Sequence, residues 1–218
     1  MAKPDFWNSE EITRYFADKP ADPRIVDFLG RATLPAGLRV LDLGCGGGRH
    51  SELLASRGYE VCSVDVNPAM LETTRTRLGK LSLSADIREG SITSIPYSDE
   101  SFGLVVTTGV LHQAKTTAQY GEAMAELNRV MKPEGPVLLN VFTNGVWDDT
   151  YTVTSDDGYS VVTQEGLDMT LLPRDTFVDM MADNGFELLE DQGEDVKMEN
   201  TGPRAVFRGF FVKESAPV

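Results

Sequence analysis

The chain has 218 residues, with 34 acidic against 20 basic side chains and a net charge of −14 at pH 7. That length suits one α/β domain able to bury a core without staples, and the negative balance repels polyanions, which argues against nucleic acid or an anionic membrane as partner. No stretch approaches the roughly 18 apolar residues of a membrane span, and the opening MAKPDFWNSEEITRYF lacks the apolar centre of a signal peptide, so a cytoplasmic location is expected.

In chain order, Ser9 can cap a helix with an acidic first turn and with Ile12, Tyr15 and Phe16 on one face, and Asp22-Pro23 can open a second. An apolar strand then runs into the glycine-rich stretch VLDLGCGGGRHS at 40–51. A helix from near Arg49 carries Leu53 and Leu54 and stops at Gly58. The apolar run 61–64 forms a second strand ending at Asp65, and Asn67-Pro68 starts a helix that stops at Gly79. A weaker strand is expected over 83–88, a buried one over 104–106, a helix over 117–131 ended by Lys132-Pro133, and a strand over 137–142. The segment TYTVTSDDGYSVV has β-rich flanks around Asp157-Gly158, the signal of an antiparallel hairpin. Pro173-Arg174-Asp175 opens a helix carrying Phe177, Met180 and Met181, which Asn184-Gly185 closes. Final strands at 186–189 and 205–213 are joined by a polar, acidic loop. The alternating order implies an α/β fold with a doubly wound sheet.

The glycine stretch carries the chemistry. Gly44, Gly46 and Gly48 lack the Cβ that would block positive φ and close approach of a ligand, and the helix that follows aims free N–H groups at the same place. Asp65 stands 21 residues beyond Gly44 at a strand end, where a carboxylate can accept from both hydroxyls of a ribose. The spacing is G-x-G-x-G. The third glycine of a dinucleotide fingerprint would fall at Arg49, which turns the reading away from NAD.

With DLGCGGG as first motif, SVDVNPAM (63–70) as the acidic tip, and further matches in EGSITSIPYSDESFGLVV (89–106), TTGVLHQ (107–113) and LNRVMKPEGPVLLNVF (127–142), the chain resembles the class I S-adenosylmethionine-dependent methyltransferases. The resemblance is close over 39–142 and loose elsewhere. It implies a seven-stranded, mostly parallel, Rossmann-like sheet with an antiparallel C-terminal strand pair and helices on both faces. One domain is expected, with an N-terminal helical cap (1–36), a cofactor-binding core (37–142), a hairpin-like insertion near the substrate (143–172), and a last helix and strands (173–218).

The resemblance implies S-adenosyl-L-methionine as cofactor, S-adenosyl-L-homocysteine as product and no metal. It assigns the ribose to Asp65 and the methionine amino group to Asp42, whose alternative is an acid bracing the loop. Backbone carbonyls at Thr108 and Gly109 would hold the ammonium, with Val66 and Met70 beside the adenine, though Met70 also reads as a core residue. Where the family commonly has Gly-Asp to bind the adenine amine, this chain has Gly90-Ser91, leaving Ser91 and the backbone of Ile92. Arg49 can reach the methionine carboxylate or be a surface arginine. Cys45 is placed with the glycines among the cofactor-binding residues, as a loop residue rather than a nucleophile, and Cys62 reads as a small buried one. His112 is the candidate base near the transferred methyl, a packing or orienting role being its alternative, whereas His50 reads as an ordinary helix residue. Trp7, Tyr15, Phe16 and Trp147 are candidates to line an acceptor pocket or merely to dock their segments. The implied function is methyl transfer to a small-molecule acceptor. The rival reading is a cofactor-binding sensor or partner subunit without methyl transfer, and nothing in the sequence excludes a homodimer.

Overall fold

A computed structural model describes residue 7 and residues 9–199 and 202–215; the N-terminal reading over 1–6 lies outside them. Two helices, α1 (Glu10–Asp18) and α2 (Pro23–Arg31), precede the first strand. The Ser9 side chain accepts from the Ile12 N–H and the Asp22 side chain from that of Arg24, so both N-termini begin at the caps legible in the sequence. The core alternates β1 (Arg39–Leu43), α3 (Arg49–Ser56), β2 (Glu60–Asp65), α4 (Pro68–Lys80), β3 (Asp86–Glu89), β4 (Leu104–Thr108), α5 (Thr117–Val130) and β5 (Pro136–Thr143). A small sheet of β6 (Thr152–Val153), β7 (Ser160–Val162) and β8 (Asp168–Thr170) follows, then α6 (Arg174–Asp183), β9 (Phe186–Glu199) and β10 (Gly202–Lys213).

The main sheet has seven strands in the order β3-β2-β1-β4-β5-β10-β9. The first five are parallel and β10 runs antiparallel to both neighbours. Each central strand is buried on both faces, as parallel sheets require. Leu41, Val105 and Val137 face a core made with α5 and α6 through Tyr120, Leu127 and Phe177, while Val40, Leu104 and Phe210 face α2 and α3 through Ile25, Phe28 and Leu54. The order reverses between β1 and β4, which opens a crevice at the carboxyl ends of β1, β2 and β4.

The main departures from the sequence reading lie in the C-terminal half and around α4. The polar, acidic loop expected after 189 is strand instead: β9 and β10 pair along their length as a ribbon, with Val196 opposite Ala205 and Lys197 opposite Arg204. Its acidic residues belong to a half-exposed edge strand, where polar side chains are tolerated on the free face. The hairpin around Asp157-Gly158 gains β8 as a third strand, pairing Ser160 with Thr170. Helix α4 passes through Gly79 to Lys80, and β3 begins at Asp86 rather than 83. Among the described residues, no helix is long and apolar enough to cross a membrane.

Candidate active site

The glycine loop is clipped to the end of β2. The Gly44 and Cys45 N–H groups both donate to the Val64 carbonyl (2.7 and 2.9 Å), and Gly46 N–H donates to Asp65 Oδ2 at 2.9 Å. From α4, Thr74 Oγ1 donates to the Gly46 carbonyl at 2.8 Å and touches Cys45 Sγ at 3.6 Å. At Gly44, φ is +70° and a Cβ would meet Val110 Cγ2 at 2.1 Å; at Gly47 a Cβ would lie 2.3 Å from the Phe16 carbonyl oxygen, where α1 ends on the loop. Only glycine fits either position.

A cavity of about 300 Å³ opens over this loop, walled by Gly44, Cys45, Gly46, Asp65, Val66, Met70, Ser91 and Ile92. Beside it lies a cavity of about 640 Å³ that reaches Tyr15, His112, Asn140 and, in β10, Val206 and Arg208. Trp7, Phe16, Arg49, Thr108, Gly109 and Gln113 line both, so the two meet where β4 ends. Both volumes fall in the range of small-molecule sites.

Comparison with known proteins points to a family. Residues 41–139 match the family described as Methyltransferase domain. Over that stretch, a little under half of its length, the chain is similar to class I S-adenosylmethionine-dependent methyltransferases. It is 32% identical over 99 residues to an uncharacterized methyltransferase, YodH, of Bacillus subtilis (45% of this chain, 41% of the relative). It is 38% identical over 114 residues to a ubiquinone biosynthesis O-methyltransferase of Hahella chejuensis (51% and 46%). These matches span about half the length of the curated relatives. The methyltransferase fold extends further: a SAM-dependent methyltransferase structure from Methanosarcina mazei superposes with a TM-score of 0.73 at 21% identity, covering 91% of this chain and all of that one.

Within this methyltransferase fold, Asp65 accepts from Gly46 N–H through Oδ2 and from Asn67 N–H through Oδ1, both at 2.9 Å. Burial pushes its carboxyl up, and the backbone N–H groups of Asn67, Gly46 and Val66 oppose that. Each oxygen keeps acceptor capacity for a ligand hydroxyl. Asp42 behaves differently. It lines neither cavity. Alternation turns it to the α3 face of the sheet, where Ser51 Oγ donates to it at 2.6 Å and itself meets Ser63 Oγ at 2.8 Å. It is 2% exposed, and burial raises its carboxyl to about 6 against the Ser51 hydrogen bond. Gly48 is likewise outside the cavity lining; its φ of +76° turns the chain into α3.

Arg49 bridges the two cavities, donating to the Pro20 carbonyl (3.3 Å) and to Thr108 Oγ1 (3.2 Å), and burial lowers its pKa. His50 is no free helix residue: its Nε2 accepts from Asp22 N–H at 3.2 Å, and its Nδ1 lies 3.4 Å from Thr108 Oγ1. His112 is buried in the turn 111–113, stacked on Phe142 with ring centroids 3.9 Å apart. Its Nδ1 accepts from the Phe142 N–H at 3.1 Å, which leaves the proton on Nε2. Burial, with the nearby Arg204 charge, lowers its pKa to about 3.

Trp7, Tyr15 and Phe16 line the larger cavity, with Tyr15 edge-on to Phe16 at 5.3 Å. Trp147 does not. It is 43% exposed and packs edge-on against Tyr151 outside both linings, because the third strand β8, rather than the chain near 147, turns the insertion toward the site through Gly166 to Met169. Residues the sequence reading missed are Gly47, in plain sight within the glycine run, Gln113, whose Nε2 donates to the Gly109 carbonyl at 3.0 Å, and Asn140 and Arg208, which only the pairing of β5 with β10 brings to the wall.

Proposed function

We propose that this protein binds S-adenosylmethionine in the smaller cavity and transfers its methyl group to a small-molecule acceptor in the larger one. The observation that carries the reading is the shared rim: a bare glycine loop and a strand-end aspartate wall one cavity, which joins a second at Thr108 and Gly109. The residues fit such a cofactor. Asp65 has acceptor capacity for two ribose hydroxyls, Val66, Met70, Ser91 and Ile92 flank the side an adenine would take, and the Thr108–Gly109 backbone offers carbonyls to an ammonium. Arg49 is within reach of a carboxylate at the rim, and Asp42 acts through Ser51, holding α3 against the loop.

Bound S-adenosylmethionine supplies a methyl on a sulfonium whose leaving group is a neutral thioether, so no acid need assist departure. Positioning by the walls is then the main device, and orientation alone is worth roughly 7–11 kcal/mol. Trp7, Tyr15 and Phe16 exclude water over the rim. His112, with its Nδ1 engaged by Phe142, orients an acceptor as a donor from Nε2 rather than acting as base. That same geometry favours one rival, a module that binds the cofactor without transferring methyl. Release of S-adenosylhomocysteine above blank in a broad acceptor panel establishes the first reading; binding without turnover in every case establishes the second. The two buried free thiols, Cys45 and Cys62, suit a reducing cytosol, and we keep that as the working compartment.

A further inference from the structure

Arg208 is a buried cation on the wall of the larger cavity that methyl transfer itself does not require. It lies in β10 opposite Asn140 of β5, on the sheet face it shares with Val206 and Phe210, and is 2% exposed. One nitrogen is engaged: Nη1 donates to the Asp195 carboxylate and to the Val206 carbonyl. Nε and Nη2 are buried with no hydrogen-bond partner, although the residue lines the cavity. Those two groups form one edge of the guanidinium, a pair of parallel N–H donors spaced to match the two oxygens of a carboxylate. Buried charged donors are normally satisfied, so an unmatched edge on a residue of the cavity wall points to a ligand that brings the acceptors.

Two further features agree. The strands lose register at this residue, Phe207 pairing with Glu194 but Gly209 with Asp191, and Gly193 turns at φ +82° within the extra length. Such bulges re-aim a side chain and occur beside binding sites. The cavity is also more cationic than the chain around it. Its wall carries Lys19, Arg49, Lys115, Lys197 and Arg208 against Asp22, Asp168 and Glu199, in a protein of net charge −14. Two ion pairs cancel within it, Glu199 with Lys19 (3.5 Å) and Asp168 with Lys115 (3.7 Å), and Arg208 is paired with Asp195 outside the lining, which leaves Arg49 and Lys197 against Asp22.

We propose that the methyl acceptor is a small molecule carrying a carboxylate, which the Nε and Nη2 donors of Arg208 bind side-on. This rests on the methyltransferase reading above and specifies its substrate class. The test is calorimetric titration of the full chain, with S-adenosylhomocysteine present, by benzoate and by benzamide, which keeps the ring and shape but removes the charge and one acceptor oxygen. Benzoate should bind at least about tenfold more tightly, and Arg208→Gln should weaken benzoate by about 30-fold or more, the lower end for truncating a buried charge pair, while leaving benzamide and S-adenosylhomocysteine unchanged. No preference for benzoate, or a preference that survives in Arg208→Gln, overturns the proposal. Should that variant also lose S-adenosylhomocysteine through misfolding, Arg208→Lys keeps the charge but lacks the fork; an undiminished benzoate preference in it overturns the proposal equally. Failure of wild type to bind S-adenosylhomocysteine counts against the methyltransferase reading instead, and the comparison of the two probes on the protein alone still decides the role of Arg208.

Discussion

Replacing His112 by glutamine separates an orienting histidine from a catalytic base. In the fold the imidazole is 2% exposed, stacked on Phe142, and accepts a backbone N–H through Nδ1. Burial holds its pKa at about 3, against 6.5 for the ordinary side chain. Because the folded value is the lower one, the unfolded state binds the extra proton below pH 6.5. The contribution of neutral His112 to stability is therefore complete above that pH and is lost as pH falls toward 3. At pH 5 the loss is about 2 kcal/mol, from ~1.4 kcal/mol for each pH interval below the unfolded pKa. His50 is shifted the same way by burial, so the wild-type curve alone cannot isolate one ring. The difference between wild type and His112→Gln can, since glutamine removes the titration and adds none. In urea denaturation the stability advantage of wild type should shrink by about 2 kcal/mol between pH 8 and pH 5, with the slopes on denaturant matched. An unchanged advantage would mean that His112 titrates normally in the folded protein, that it is hydrated, and that the orienting role is wrong.

Three other outcomes follow from the same geometry. Asp65→Ala should weaken S-adenosylhomocysteine at least about a hundredfold, since two hydrogen bonds to a charged acceptor are worth about 3 kcal/mol or more; calorimetric affinity equal to wild type would remove the ribose assignment. Gly47→Ala puts a Cβ 2.3 Å from the Phe16 carbonyl, so it should cost about 1–3 kcal/mol as an overpacking change and expose α1 to limited proteolysis, and an unaltered digestion pattern would contradict the contact. Phe177→Ala, which empties a fully buried site between α5 and β10, should cost about 3–5 kcal/mol in chemical denaturation, with a loss under 1 kcal/mol arguing against that core.

Much of this arrangement is legible in the sequence, because it is written in local chemistry. The caps at Ser9, Asp22-Pro23 and Asn67-Pro68 start helices where their side chains satisfy the first N–H groups, and the glycines mark a backbone that a ligand or another segment must approach. Asp65 could be found because a single βαβ unit sets its distance from the loop. What stayed hidden depends on long-range pairing. The stretch from 190 to 199 is mostly charged, with only Val196 and Met198 apolar, so its apolar signal is too weak to announce a strand, and β9 exists because β10 supplies its hydrogen bonds. Arg208 inherits that difficulty, its position being set by the register with β5 and a bulge against β9. Trp147 shows the opposite error: a large aromatic beside a turn promises a binding wall, yet its direction was decided by how β6, β7 and β8 fold back on one another.

The central claim is that the glycine loop and Asp65 hold S-adenosylmethionine, and calorimetric titration of the purified chain with S-adenosylmethionine, S-adenosylhomocysteine and NADH tests it most directly. Micromolar binding of the two sulfur compounds, with no heat from NADH, is the predicted result. Folded protein that binds neither sulfur compound, or that binds NADH tightly without displacing them, would contradict it.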